Sequence, residues 1–157
     1  MRLASLATAA ALAVAAFPAS ATDPAIEALL KASGLSYEVD KDDDYTAVVE
    51  WDKDGRSQLV YISGTIEDMA GVQVFTVFSP AYVLDAEGGI DVALARRLLT
   101  ENGKFKIGAW ETAGKNVYFT TKIPAGISGA QFKTLLLATA ETADDMELEL
   151  TPGKDDL

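Results

Sequence analysis

The protein has 157 residues, with 24 Asp and Glu against 13 Lys and Arg, which gives a formal net charge of −11 and an isoelectric point of about 4.3. A chain this acidic repels phosphate backbones and anionic lipids, so nucleic acid is not an expected partner. The chain contains no Cys and no His, which removes disulfides, thiol nucleophiles, Ser-His-Asp triads and the usual zinc sites. Most hydrolase chemistry is therefore not expected, and no cofactor is expected. The length predicts one domain.

The N-terminal segment has the three-part pattern of a secretory signal peptide. Arg2 precedes an uncharged, Ala- and Leu-rich run over residues 3–17, and Pro18 follows it. Residues 19–21 supply small side chains at a cleavage site. The run is shorter than the roughly 18 apolar residues of a membrane anchor. We expect cleavage after Ala21, no stable membrane anchor, and a mature protein in the periplasm or secreted.

The first half of the predicted mature domain begins with a helix and continues with strands. Asp23-Pro24 is typical of a helix start, and Ser33-Gly34 is typical of a helix end. The acidic run 40–44 and residues 52–55 predict turns, and residues 64–71 predict a loop. Alternating apolar and polar residues predict strands at 35–39, 45–51 and 58–62.

Residues 72–78 form the most apolar predicted strand. Apolar residues occupy both of its faces, as expected of a strand that is covered on both sides. Pro80 predicts the end of this strand. We expect something other than water to cover its second face, and we assign Phe75 and Val77 to a partner interface.

The second half predicts a helix, a hairpin and a long final helix. Asp91 predicts the start of the first of these helices, and Asn102-Gly103 its end. Ser128 and Gln131 have the spacing of a capping box at the start of the last helix, which Pro152-Gly153 ends. The predicted strands of the hairpin are 105–111 and 116–123.

These elements follow the order helix, three to four strands, helix, two strands, helix. Because hairpins join most of the strands, we predict an α+β fold in which the helices pack on an antiparallel sheet. The domain is predicted to span residues 22–150, after a signal peptide at 1–21. Residues 151–157 are predicted to be a flexible acidic tail.

Several short runs, in their order and spacing, resemble the YbjN family of bacterial sensory transduction regulators. The runs are Leu98-Leu99-x-x-Asn102, Gly108-x-Trp110, Val117-Tyr118-Phe119 with Ile123-Pro124, and Ala143-Asp144-x-Met146-Glu147. The resemblance implies the fold of type III secretion chaperones and a small dimerising module that binds other polypeptides. It implies structural roles for Asn102, Gly108 and Trp110 and supplies no catalytic residues. A signal peptide departs from the cytoplasmic members, so a role in the cell envelope is the expected one.

The acidic turn is a candidate calcium site. Asp40, Asp42 and Asp44 stand at alternate positions, as in the opening of a calcium-binding loop. The sixth position is Tyr45, where such a loop has Gly, and the twelfth is Trp51, where it has Glu. These departures favour a solvated hairpin turn without a metal.

The end of the last helix carries a second group of acids: Asp144, Asp145, Glu147 and Glu149. A glycosidase needs two carboxyl groups facing each other across a cleft. These four are neighbours on one helix, which favours a solvent-exposed acidic face. No catalytic pair of a nucleophile and a base is indicated.

The last predicted helix has more apolar residues than one buried face can hold, which indicates an interface. Residues 135–137 are three consecutive leucines, more than one helix face can bury, and Leu137 is our candidate for a partner contact. Trp51, Trp110 and the tyrosines are candidates to line a ligand pocket, although aromatic residues at alternate strand positions more often belong to a core.

The resulting hypothesis is an exported, non-enzymatic protein-binding module, chaperone-like or regulatory, in the bacterial cell envelope. Its partner is expected to be a protein or a peptide, and the module itself to be a homodimer. The alternative is a small-ligand or ion sensor domain that uses the aromatic residues or the acidic turn. An enzyme built on Asp and Glu alone ranks third.

Overall fold

The computed structural model describes residues 22–51, 55–84, 89–153, 155 and 157. The helices are α1 (Pro24–Ser33), α2 (Val92–Asn102) and α3 (Gly129–Leu150). The strands are β1 (Glu38–Val39), β2 (Tyr45–Trp51), β3 (Arg56–Ile62), β4 (Glu67–Met69), β5 (Val72–Val83), β6 (Ala109–Ala113) and β7 (Asn116–Pro124). The predicted signal peptide and most of the predicted turn at 52–55 lie outside the described residues. The α+β class with an antiparallel sheet is confirmed.

Local capping explains where the helices begin and end. Asp23 accepts a hydrogen bond from a backbone N–H of the first turn of α1, and Gly34 ends that helix with a left-handed φ of +71°. Ser128 and Gln131 form the predicted capping box of α3. At the end of α2 the cap residue is Gly103, as predicted, but its φ of −69° is right-handed and does not use the conformational freedom of glycine. Within the described ranges, no helix combines the length and the apolar character needed to cross a membrane.

The sheet has the strand order β1-β2-β3-β5-β7-β6, with β4 paired to the start of β5. Helix α3 packs across β3, β5 and β7, while α1 contacts α3 and α2 contacts β6. The first core joins α1 and α3 to β2, β3 and β5, and the second joins α2 and α3 to β6 and β7. Both cores contain residues of α3 and of the same face of the sheet, so the three described helices lie on one face.

The prediction of a partner interface at Phe75 and Val77 requires a correction. Their side chains point toward the helices and are 1% and 0% exposed. Both belong to the first core, so they are not available to a partner in this fold. The alternate residues of β5 point to the opposite face and are half-buried there, as Thr76 and Phe78 show.

The strand β5 continues through Pro80, where the sequence predicts its end. The carbonyl oxygen of Pro80 accepts a hydrogen bond from the side chain of Gln58 on β3. In a strand the N and the C=O of one residue point to the same side, so the missing N–H of Pro80 also faces β3. Pairing between β3 and β5 has already stopped there, being limited to Tyr61 and Ile62 on β3. A proline therefore costs the sheet no hydrogen bond at this position.

Two other predicted elements differ from the structure. The predicted loop at 64–71 contains β4, a short strand whose exposed residues show no alternation. The predicted strand at 105–111 begins only at Ala109, because Gly108 turns the chain with a φ of +88°.

Candidate functional site

The face of the sheet opposite the helices carries an aromatic cluster made of Tyr61, Phe78 and Tyr118. Tyr61 and Phe78 are direct cross-strand partners, and their rings stack with centroids 5.1 Å apart. Tyr118 meets Phe78 edge-on with centroids 5.5 Å apart. All three side chains are half-buried, and no described helix covers them. We call this surface the open face.

Exposed aliphatic residues add to the aromatic cluster, among polar side chains of the same strands. Val48 on β2 is 58% exposed and pairs with Leu59 on β3, in the same alternation as Tyr61. Val72 and Val83, at the two ends of β5, are 55% and 49% exposed. A solvated face of an antiparallel sheet is ordinarily polar, so valines at these positions mark the open face as a surface suited to a partner.

Each ring of the cluster also has a polar cross-strand partner, which is Thr46 for Tyr61, Thr120 for Phe78 and Glu111 for Tyr118. Lys122 donates to the hydroxyl of Thr76 over 2.9 Å, and Asn116 donates to the hydroxyl of Tyr118 over 2.7 Å. Burial of the ring raises the pKa of Tyr61 above its ordinary value, and the negative charges of Tyr118 and Asp40 make smaller contributions in the same direction. Tyr61 therefore stays neutral at physiological pH and contributes a ring and a neutral hydroxyl.

One edge of the sheet beside the open face is only partly covered. The two-residue strand β1 pairs only with Tyr45 and Thr46, so on the side away from β3 the rest of β2 has no paired strand among the described residues. A concavity of about 590 Å³ follows this edge. Its lining includes Tyr37, Glu38, Thr46, Val48, Glu50 and Leu59. An extended polypeptide can add a strand at such an edge, while its side chains reach the open face.

The last predicted interface residue, Leu137, lies in the helix layer. It is half-buried and packs against the first core, and its neighbour Leu136 is fully buried in that core. Because α1 lies against α3, most of the apolar excess of the three leucines is covered within the chain itself. Leu137 is thus separate from the open face.

Asn102, Gly108 and Trp110 meet at the edge strand β6. The side-chain amide of Asn102 accepts from the N–H of Trp110 over 2.7 Å and donates to its carbonyl over 3.3 Å. Asn102 therefore takes the place of a neighbouring strand at this edge. At Gly108 a Cβ would lie 2.7 Å from the ring of Phe119, so the chain passes too close to that ring for any other residue.

The carboxylates of the acidic turn mainly organise its backbone. Asp40 accepts from the N–H groups of Asp42 and Asp44 over 2.8 and 3.1 Å, and Asp44 accepts from the N–H of Gly64 over 3.0 Å. Asp42 pairs with Lys41. These contacts give Asp40 and Asp44 of the predicted calcium motif a structural role, whereas the carboxylate of Asp42 makes an exposed ion pair.

Two of the four acids at the end of α3, Asp144 and Glu147, pair with Arg56, which no sequence motif indicates. Both are largely buried, so the expectation of a solvent-exposed acidic face is wrong for these two residues. Arg56 on β3 lies 2.7 Å from Asp144, 3.3 Å from Glu147 and 3.7 Å from Asp155. Within the described ranges, these carboxylates also form a group close enough to hold a metal ion, but the guanidinium already supplies a positive charge among them. The hydrogen bond with Asp144 raises the pKa of Arg56 further. No local signal reveals a pair that is 88 residues apart.

The other aromatic candidates do not share one pocket. Trp110 is 6% exposed in the second core, where it contacts Phe105 and Phe119. Trp51 packs against the first core. Tyr37 and Tyr45 belong to the first core and Tyr82 packs against the second, so Tyr61 and Tyr118 are the tyrosines of the open face.

Comparison of the sequence with models of known protein families finds no match, and comparison with curated proteins finds none either.

Proposed function

We propose that the protein is an exported, non-enzymatic protein-binding module, chaperone-like or regulatory, and that the open face is its binding surface. The observation that carries the proposal is the aromatic cluster of Tyr61, Phe78 and Tyr118 on a sheet face that no described helix covers. Stacked rings of this kind present a large, rigid contact area at a low cost in side-chain entropy.

The surroundings of the cluster favour a polypeptide partner over a small ligand. The open face spans several strands. Its exposed valines lie on β2, at position 48, and at the two ends of β5, at positions 72 and 83. Protein interfaces combine such an apolar centre with a polar rim. Glu50 and Glu111, on outer strands of the sheet, fit the place of that rim.

Export to the cell envelope is part of the proposal and is supported by the signal-peptide pattern of residues 1–21. The resemblance to the YbjN family supports a polypeptide partner and a homodimer. A second copy of the chain is accordingly the first partner to test. The absence of His and Cys, together with the pairing of Asp144 and Glu147 with Arg56, supports a role without catalysis.

The test compares two exposed valines. Val48→Lys places a charge on the open face, and Val92→Lys places the same charge on α2, where the valine is 74% exposed. Sedimentation measures self-association, and capture from an envelope extract compares the sets of bound proteins. We expect Val48→Lys to abolish the dimer or the captured partner, and Val92→Lys to retain both.

Phe78→Lys serves as a second variant at the centre of the cluster, with its folding checked by circular dichroism. If wild type, Val48→Lys and Val92→Lys give the same sedimentation and the same captured proteins, the open face is not the binding surface.

A further inference from the structure

The outer edge of β2, on the side away from β3, carries backbone groups without a bonding partner. Along a strand, the N–H and C=O groups of alternate residues point to the same side. The N–H of Asp40 donates to the carbonyl of Asp44 over 2.8 Å, and β1 pairs with Thr46, so the even-numbered residues of β2 direct these groups outward. Beyond Thr46, the N–H and C=O groups of Val48 and Glu50 therefore face outward, and no described residue bonds to them.

This pattern favours an extended polypeptide as the ligand. Two donors and two acceptors alternate along the edge, and the backbone of one further strand supplies their complement in the same order. The groove of about 590 Å³ beside the edge provides the space, and its lining includes Tyr37, Val48 and Leu59. We call this edge together with the groove the β2 groove. It offers both the hydrogen bonds and the room for one more strand.

The charges of the β2 groove indicate the sequence of that strand. Its two charged lining residues, Glu38 and Glu50, are acidic and exposed, and neither forms an ion pair among the described residues. Glu38 is the cross-strand partner of Thr46, and the side chains at positions 46, 48 and 50 share one face of β2. An acid, a valine and an acid thus follow one another along the edge. An apolar residue between two basic residues, at alternate positions, complements this order.

The overall charge favours the same kind of partner. The net charge of −11 attracts a basic segment from a longer range. A second copy of the chain would instead bring the acidic side chains of two β2 grooves to one edge, where like charges oppose pairing.

We propose that the β2 groove binds an extended segment of a partner protein by strand addition, and that this segment carries the pattern Lys-x-Val-x-Lys, in which Arg can replace Lys and another aliphatic residue can replace Val. The aliphatic residue of the segment packs beside Val48, and its basic residues face Glu38 and Glu50. The inference rests on the proposed protein-binding function and adds the chemistry of the partner.

The experiment uses the full chain and an acetylated and amidated peptide, Thr-Lys-Thr-Val-Thr-Lys-Thr. A second peptide has Glu in place of both Lys. Amide hydrogen exchange at Val48 and Glu50 reports strand addition, because an added strand protects the outward N–H groups, whereas a ligand bound only to side chains of the open face does not. Calorimetric titration measures the affinity.

We expect the amides of Val48 and Glu50 to exchange rapidly in the free protein, and the basic peptide at saturation to slow both about tenfold or more. The double variant Glu38→Lys/Glu50→Lys should bind this peptide about tenfold or more weakly, since two attractions become repulsions. The matched control Glu67→Lys/Glu141→Lys reverses two exposed acids on β4 and α3. It should bind within about twofold of the wild type, because charges far from the groove are screened.

Three results overturn the inference. The first is unchanged exchange at Val48 and Glu50 when the basic peptide is added. The second is equal protection by the acidic peptide. The third is protection of both amides in the free protein, because the edge would then be covered by the chain itself or, where the protection grows with protein concentration, by a second copy.

Phe78→Lys separates this inference from the proposed function. Phe78 lies on β5, two strands away from β2. The variant should therefore keep the protection by the basic peptide even where it loses the partner of the open face. Failure of the peptide on wild type, with the partner of the open face still lost in Phe78→Lys, refutes the β2 groove alone.

Discussion

Replacing Gly108 with Ala should destabilise the protein strongly, because this glycine sits where the chain enters β6. Its φ is +88°, a backbone conformation that costs an L-residue about 1–2 kcal/mol. A Cβ at this position would also lie 2.7 and 2.8 Å from ring atoms of Phe119 and 2.9 Å from the hydroxyl of Thr121. Phe119 is a buried core residue, so the contact cannot be relieved toward solvent.

The size of the effect follows from these two causes. Forcing an extra methyl group into a packed core costs about 1–3 kcal/mol, so together with the backbone strain Gly108→Ala should lose about 2–5 kcal/mol of the free energy of unfolding. Gly114→Ala is the matched control: its φ is +59°, and a Cβ there meets nothing within 4 Å. The control should lose only about 1–2 kcal/mol.

Urea denaturation followed by tryptophan fluorescence measures both variants, since Trp110 is buried two residues after Gly108. Gly108→Ala should unfold at a clearly lower urea concentration than Gly114→Ala, with an unchanged slope. Equal destabilisation of the two variants would refute the close approach of Gly108 to Phe119.

Three further predictions concern polar groups. Tyr45→Phe should leave the free energy of unfolding unchanged or raise it, because the buried hydroxyl of Tyr45 has no hydrogen-bond partner among the described residues. Thermal denaturation compares it with Tyr37→Phe as the control. A loss of about 1 kcal/mol or more in Tyr45→Phe alone, the size of one hydrogen bond, would contradict this prediction. Asn102→Ala should lower the free energy of unfolding by about 1–3 kcal/mol, because it removes both side-chain hydrogen bonds to the backbone of Trp110. If urea denaturation gives this variant the stability of the wild type, water replaces both hydrogen bonds fully and the prediction is wrong. Asp145→Asn should stabilise the protein slightly at neutral pH, because partial desolvation and then repulsion from neighbouring acids raise the pKa of Asp145, which is still exposed to solvent in the folded state. A raised carboxyl pKa makes ionisation of Asp145 oppose folding, so the stability of the wild type falls as the pH rises through the folded-state pKa. The stability gained by Asp145→Asn should vanish at about pH 3, where the carboxyl is protonated in both the folded and the unfolded state. An equal gain at neutral pH and at about pH 3 would contradict this cause.

Local signals in the sequence predict much of the secondary structure. The caps at Asp23, Gly34 and Ser128 lie where they are expected, because a cap depends on hydrogen bonds within a few residues. The strand over 45–51 is predicted with its observed bounds, because alternation of apolar residues is likewise a local pattern. Asn102 contacts the backbone of Trp110, and Gly108 lies against the ring of Phe119, whereas the family-based roles of these positions stay a prediction.

The candidate site could not be predicted in this way. Both faces of 72–78 are apolar, and the sequence does not show which face the helices cover. The structure places Phe75 beneath the helices and Phe78 on the open face. The free edge of β2 depends on where its pairing with β1 stops, and Arg56 meets Asp144 across 88 positions of the chain.

By itself, the amino-acid sequence determined the class of the fold, the positions of most helices and strands, and an acidic composition without His or Cys. These properties follow from composition and from interactions between near neighbours in the chain. Only the tertiary structure decided which apolar face stays open and which edge of β2 stays unpaired among the described residues, because burial and pairing between distant residues depend on how the elements pack together.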